Sequence, residues 1–132
     1  MINNKIEETI KKLKRVEKRV SREKGPLNFF GVLERLDVDN TWDILVSASW
    51  FSDKKKDLIY IISNVKKDLT NEDLRIFARV VLIKPEEKFI RRLNALIETE
   101  HKEMEIINMK INGFRLKHGY IITSKGKRNR EN

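Results

Sequence analysis

The sequence contains no cysteine. Disulfide bonds and metal sites built from thiolates are therefore excluded, and a reducing compartment is compatible with the chain. No stretch approaches the roughly 18 consecutive apolar residues that a membrane-spanning helix needs. The opening segment MINNKIEETIKKLKR also has no apolar core of the signal-peptide type. We therefore expect a cytoplasmic protein that does not enter a membrane and whose stability comes from packing alone.

The sequence also lacks any motif that specifies a reaction. It has no G-x-S-x-G segment to present a nucleophilic serine, and no spacing brings either histidine to a serine. The two histidines lie 17 residues apart, and Asp37 and Asp39 lack the glycine and terminal glutamate of a calcium loop. We therefore expect no catalytic residues, no metal site and no cofactor.

Positive charge is what the sequence has in excess. Its 29 Lys and Arg residues outnumber 20 Asp and Glu residues, which gives a formal charge of +9. Residues 1–24 carry +5 of this charge and residues 125–132 carry +3, so residues 25–124 carry only +1. A chain of 132 residues with 39% apolar content suits one domain with a modest core. The excess charge therefore lies at the two ends of a nearly neutral body.

An amphipathic helix is predicted over residues 1–24. Gly25-Pro26 ends it, because proline cannot continue a helix. Lysines and arginines fill most of the segment around apolar residues at spacings of three, four and seven, which are Ile6, Ile10, Leu13 and Val20. This pattern is typical of a helix with one narrow apolar stripe.

We expect the apolar stripe to pack against a protein surface. Insertion into a membrane is disfavoured because the stripe has no aromatic anchors, and three heptads are the lower limit for an isolated coiled coil. We interpret residues 1–24 as a basic helical arm. It docks on its own domain, residues 25–124, or it mediates contact with a protein partner or a homodimer through residues 2–23. Residues 125–132 read as a disordered basic tail.

Strand patterns and turn residues predict the rest of the fold. Two strand-like runs flank Asp37, Asp39 and Asn40 and predict a hairpin. Next come a helix with the apolar stripe Leu58, Ile61, Ile62, Val65 and Leu69, and a short segment capped by Thr70 and Asp73. The continuous apolar run over residues 78–83 predicts a central strand buried on both faces. Pro85 is then expected to open a helix with the buried stripe Phe89, Leu93, Leu96 and Ile97.

A final hairpin is predicted at Asn112-Gly113, the pair preferred in type I′ turns. This turn would pair Ile111 with Phe114, Lys110 with Arg115, Met109 with Leu116, Asn108 with Lys117, and Ile107 with His118. The element order is then α-β-β-α-β-α-β-β, and two passages from strand to helix imply some parallel pairing. We predict an α/β fold, with α+β as the alternative. Its core would be a mixed sheet of about five strands packed by helices.

Two groups of polar residues are candidates for a ligand site. Asp43, Ser47 and Ser49 alternate along the second strand and share one face, which is either a pocket or a wet sheet surface. Ser52 and Asp53 follow this strand at the start of a helix, where backbone N–H groups can hold an anion. That turn lacks glycine, however, and a Ser or Asp cap would satisfy the same N–H groups internally.

Nucleic acid is the alternative partner. The basic arm, one face of the last hairpin and the tail could contact phosphates through Lys11, Lys12, Arg15, Arg19, Lys110, Arg115 and Lys117. Lys110 opposite Arg115 would be a like-charge pair, which is either solvated or neutralised by an anionic partner. Stacking platforms for bases are scarce, because only Phe29 and Phe30 lie near basic residues and one of them is expected in the core.

The interpretation that best fits the sequence is a small, non-enzymatic binding or association module with a basic helical arm. Nucleic-acid binding is the second hypothesis. A small-anion site at the turn from Ser49 to Asp53 is the third.

Overall fold

The structure is a computed structural model that describes residues 4–111 and 113–126. Within these residues the chain forms four helices and five strands. In chain order they are α1 (Asn4–Lys24), β1 (Phe29–Glu34), β2 (Trp42–Ser47), α2 (Lys54–Asp68), α3 (Asn71–Leu74), β3 (Phe77–Leu82), α4 (Lys88–Leu96), β4 (Met104–Ile111) and β5 (Phe114–Ser124). The predicted caps at Asp53 and Thr70 are confirmed, and Thr70 forms a reciprocal capping box with Asp73.

The five strands form one mixed sheet in the order β3-β2-β1-β5-β4. β2 and β3 are parallel and are joined through α2 and α3, whereas the other three pairings are antiparallel. The predicted α/β architecture, with a five-stranded mixed sheet in one compact domain, is confirmed. The passage through α4 differs from the expectation, because it leads from one edge strand to the opposite edge and makes no parallel pair.

The prediction that residues 78–83 form the central strand is wrong. β3 is an edge strand whose residues are half-buried or exposed, and the central position belongs to β1. The physical reason is that a continuous apolar run reports apolar surroundings on both faces, and it does not report the number of neighbouring strands. Val80 and Leu82 pack on one face and Val81 packs on the other, although no described strand lies beyond them.

The register of the last hairpin follows the turn signal. Gly113 has a φ of 91°, in the region that favours glycine, while Asn112 lies outside the described residues. The pairing of Asn108 with Lys117 is not part of the ladder, because Asn108 takes a φ of 51° within β4. Four of the five predicted pairs are confirmed, namely Ile111–Phe114, Lys110–Arg115, Met109–Leu116 and Ile107–His118.

The apolar stripe of α1 is buried against the chain's own sheet. All four predicted stripe residues, Ile6, Ile10, Leu13 and Val20, are at most 5% exposed. They belong to one cluster with Phe30 and Val32 of β1, Ile44 of β2 and Ile122 of β5. Docking on the chain's own domain was one of the two alternatives that the sequence pattern allowed, the other being contact with a partner or a second copy. The stripe is therefore covered by the chain's own sheet in this structure.

Polar contacts fix how α1 lies on the domain. Asp73 of α3 is buried, and its carboxylate meets Lys5 at 2.8 Å and Lys12 at 2.6 Å. Two turns further along, Arg19 reaches Asp68 at 2.9 Å. Burial alone would raise the pKa of Asp73, but the two lysines and the Thr70 N–H outweigh burial and hold this pKa well below its usual range. The helix is therefore held by directional contacts as well as by its stripe.

The opposite face of the sheet has less cover. We call it the α4 face, because α4 is the helix packed there, against Phe29, Leu33 and Ile121 through Ile90 and Leu93. α4 begins at Lys88, three residues after the expected start at Pro85, because residues 85–87 form a turn. Leu96 is 63% exposed, which corrects the predicted stripe. A nine-residue helix spans about 14 Å, too short to cover five strands.

Replacement of the buried carboxylate by D73N should destabilise the protein by about 3 kcal/mol at pH 7. A carboxylate with a lowered folded-state pKa stabilises the fold above its unfolded pKa and loses this contribution as the pH falls. The difference between wild type and D73N in urea unfolding should therefore shrink below about pH 4. E72Q is the matched control, because Glu72 is exposed and meets Lys5 only at 3.8 Å. An equal effect of E72Q and D73N would contradict this account.

Candidate functional site: an open groove beside strand β3

A groove lies on the α4 face at the N-terminal end of α4, where Phe89 lines it. It encloses about 500 Å³ and collects residues of β1, β2, β3 and the β4–β5 hairpin. Its walls are mainly apolar, with charged residues at intervals, and they are Leu33, Glu34, Leu36, Asp43, Leu45, Arg79, Val81, Ile83, Phe89, Gly113, Phe114, Arg115 and Leu116. We refer to it as the β3 groove.

Strand alternation places the floor residues of the groove. Along β2, Ile44 and Val46 face the α1 cluster, so Asp43 and Leu45 face the groove. The parallel register then sets Arg79 beside Asp43 and Val81 beside Leu45. The groove is therefore built on two rigid neighbouring strands.

Asp43 is the charged residue at the floor. It is only 9% exposed, and its carboxylate lies between Arg35 at 3.6 Å and Arg79 at 3.4 Å. Its Oδ1 atom makes no hydrogen bond within the described residues, since 3.6 Å is too long for one. Both guanidinium groups compensate the buried charge, but neither contact is tight.

Exposed apolar side chains form the rim. Leu36 is 56% exposed and Phe114 is 43% exposed, although both are residue types that favour burial. Phe114 packs edge-to-face on Phe89 with 5.0 Å between the ring centroids. Two hairpin tips thus present apolar surface to solvent at the same end of the sheet.

The outer edge of β3 is open and unprotected. No described strand pairs with it, and its one charged residue, Arg79, is engaged with Asp43. Edge strands usually carry lysines, prolines or distortions that discourage further pairing. The other edge strand, β4, has such features in Lys110 and in the left-handed backbone of Asn108. β3 has one irregularity, at its start, which leaves Arg79–Leu82 in regular register.

The structure separates the residues that the sequence grouped with Asp43. Ser47 is completely buried, and its hydroxyl has no hydrogen-bond partner among the described residues. Ser49 is exposed elsewhere and donates to Asn28 Oδ1 at 3.1 Å. Of these three residues, only Asp43 lines the groove.

The turn proposed for an anion is occupied by the protein's own carboxylates. The backbone N–H groups of Ser52 and Asp53 donate to Asp57 Oδ2 at 2.8 and 3.1 Å. Asp53 in turn accepts from Lys56 N at 3.1 Å as the N-cap. A cavity of about 660 Å³ adjoins the turn, and Glu87 adds a further negative charge to it. Asp57 was missed from the sequence, although its place four residues after an N-cap aspartate could have indicated this role.

Several basic residues assigned to nucleic acid contact carboxylates within the chain instead. Lys12 contacts Asp73, Arg15 and Arg19 contact Asp68, and Lys117 contacts Asp39. The other three residues are exposed and form no ion pair with the described residues; they are Lys11, Lys110 and Arg115.

The two candidate stacking residues, Phe29 and Phe30, are both completely buried, although only one was expected in the core. No base could stack on either ring without opening the sheet.

Other classes of site find little support in the described part of the chain. Within it, no group of three or more His, Asp or Glu side chains could hold a metal ion. None of its helices combines the length and the apolar character needed to cross a bilayer. Comparison of the chain with protein-family models, curated proteins and solved structures gave no match. The geometry of this chain is therefore the basis on which a function can be inferred.

The coupling of Asp43 to Arg79 can be tested by a double-mutant cycle. R79L removes one of two cations around a buried carboxylate, so we expect a loss of about 1–2 kcal/mol in urea unfolding. D43L/R79L should be more stable than R79L alone, because replacing both partners leaves no uncompensated charge. R91L on the exposed surface of α4 is the control and should change stability by less than about 0.5 kcal/mol. Additive effects of D43L and R79L would contradict the coupling.

Proposed function

We propose that the protein is a non-enzymatic binding module that captures an extended segment of a partner protein at strand β3. The observation that carries this proposal is an open, regular edge strand directly beside an apolar groove. An extended segment that pairs with β3 would satisfy the unpaired backbone groups of its edge. Alternate side chains of that segment would point to the α4 face, where the groove can receive them.

Charge supports an acidic partner. Arg115 is exposed at the groove and forms no ion pair with the described residues, and Arg79 is 62% exposed beside it. Both carboxylates that line the groove are compensated, because Asp43 is buried and faces two arginines and Glu34 lies 3.8 Å from Lys117. A segment with apolar residues on one face and a nearby carboxylate complements this arrangement. A second copy of the chain is disfavoured because two proteins of +9 repel each other.

This proposal keeps the association function predicted from the sequence but assigns it a different surface. The stripe of α1 is already covered in cis, whereas the β3 groove leaves apolar side chains in water. Nucleic acid has no comparable apolar or aromatic platform at Phe29 or Phe30, since both are buried.

Selection of random 12-residue peptides against the folded protein tests the proposal. Enriched peptides should alternate apolar residues and include acidic ones, and their affinity should fall by about tenfold or more in V81K, which places a charge in the groove. F114S, at the exposed rim, should weaken the same peptides without burying a new charge. I107K is the matched control, because Ile107 is a 64% exposed apolar residue on the other edge strand.

Equal loss of affinity in I107K and V81K would contradict strand addition at β3. Sedimentation equilibrium separates a further outcome: a wild-type dimer that V81K dissociates would mean that a second copy, and not an acidic partner, occupies the groove.

A further inference from the structure

His101 is held by a closed set of hydrogen bonds around a buried carboxylate. Glu17 of α1 is completely buried, and its Oε1 lies 2.7 Å from His101 Nδ1. Thr123 donates its hydroxyl to Glu17 Oε2 at 2.8 Å and accepts from the backbone N–H of His101 at 3.1 Å. Ser21 donates to the same Glu17 oxygen at 3.2 Å. Both the backbone and the ring of His101 are thus fixed.

A buried carboxylate that fixes a histidine is energetically unfavourable at a position where only packing is needed. A buried carboxylate loses its hydration, and the apolar neighbours of Glu17 on α1 show that the face accepts aliphatic side chains. His101 also has a φ of 58°, in the left-handed backbone region that is strained for residues other than glycine. Restraint of this kind is typical of a histidine that has to be presented in one orientation.

The orientation directs the second ring nitrogen outward. The Glu17 carboxylate occupies the Nδ1 side of the ring at 2.7 Å, so Nε2 is the ring nitrogen left for another group. Nε2 therefore faces an open depression of about 420 Å³ between α1 and the segment before β4, lined by Lys18, Ser21, Arg22, Pro26, Glu100 and His101.

The charges around this depression are mainly positive. Lys18 and Arg22 are exposed and form no ion pair with the described residues. Glu100 lies 3.6 Å from Nε2, but it is engaged at 2.6 Å by Lys125, which also holds the pKa of Glu100 below its usual range. The charge of Glu100 is therefore compensated, whereas those of Lys18 and Arg22 are not.

Lys18 and Arg22 continue along the helix as a ridge. Lys11, Lys18 and Arg22 lie on the side of α1 opposite its buried stripe, and all three are exposed. From Lys11 to Arg22 the helix rises about 16 Å, which is several times the phosphate spacing of one nucleic-acid strand. This set, the basic ridge, shares only Lys11 with the residues of α1 chosen from the sequence, of which Lys12 and Arg19 face carboxylates of α3 and α2.

We propose that His101, Lys18 and Arg22 form a phosphate-binding site, and that the phosphates belong to a single-stranded nucleic acid lying along the basic ridge. A protonated His101 donates from Nε2 to a phosphate oxygen, and Lys18 and Arg22 neutralise its charge. Inorganic phosphate offers the same chemistry at one position only. The site is independent of the β3 groove.

The test measures binding of the full chain to a fluorescent 20-nucleotide oligothymidylate across salt concentrations. K18Q/R22Q should lower the slope of log affinity against log salt by about 1.4, because each single-strand phosphate contact contributes about 0.7. K66Q/K67Q is the matched control, because it lowers the net charge by the same amount but replaces two exposed lysines of α2. Equal losses in both double variants would overturn the site and leave a generic effect of net charge.

The histidine has its own readout. Affinity should rise as the pH falls in wild type and in H118Q, and this rise should disappear in H101Q. E17Q, which keeps the size of the side chain but not its charge, should reduce the rise. Urea unfolding of each variant at each pH value controls for loss of the fold. A rise that persists in H101Q would overturn the role of His101.

A titration of the His101 ring by inorganic phosphate, followed by NMR, separates the two phosphate sources. Binding of phosphate alone, with no slope change in K18Q/R22Q on the oligonucleotide, would overturn the nucleic-acid assignment and support a site for the free ion.

Discussion

The burial of α1 against the sheet is the interaction on which the rest of the structure depends. The stripe from Ile6 to Val20 supplies much of the core on one side of β1, β2 and β5. Each of these aliphatic side chains contributes about 1.5–3 kcal/mol when it leaves water. Without α1 that sheet face would be open, and α2 alone could not cover it. The basic helix that the sequence suggested as an arm is therefore packed into the core of the domain.

The docking of α1 also decides which charges remain available. Lys5, Lys12 and Arg19 turn toward Asp73 and Asp68, so they fix the helix and are not free for a partner. The residues on the outward side stay in water. The cations of α1 are thus divided mainly between ion pairs within the chain and the exposed basic ridge, and this division follows from the helical phase of the buried stripe.

The two faces of the sheet are covered unequally, and the β3 groove results from this difference. α1 and α2 cover the face opposite the groove, whereas α4 is short and leaves the β2–β3 end of the other face open. Because β3 is also an edge, uncovered side chains and unpaired backbone groups occur at the same place. We interpret this coincidence as a binding surface, since an edge strand without a function is usually blunted.

Local signals could be read from the sequence, and long-range ones could not. The turn at Asn112-Gly113 predicted five cross-strand pairs, of which four are confirmed, and the caps at Asp53 and Thr70 located two helix starts, because each depends on neighbours in the chain. The position of β3 at an edge was missed, because strand order depends on contacts between distant segments.

The same reason explains the candidate sites. Asp43 was found by its alternation along β2, but its partners Arg35 and Arg79 are set by the sheet. Glu17 and His101 lie 84 residues apart, and no spacing rule joins them.

Hydrogen exchange under native conditions tests the central claim most directly. If α1 is an integral part of the core, the slowest amides around Leu13 and Val16 should exchange only by global unfolding. Their free energy of opening should then equal that of the slowest amides of β1 and β5. Urea should affect all three sets equally. Exchange of the α1 amides at a free energy several kcal/mol below that of β1, with little dependence on urea, would show that the helix detaches while the sheet stays folded, and would contradict the account.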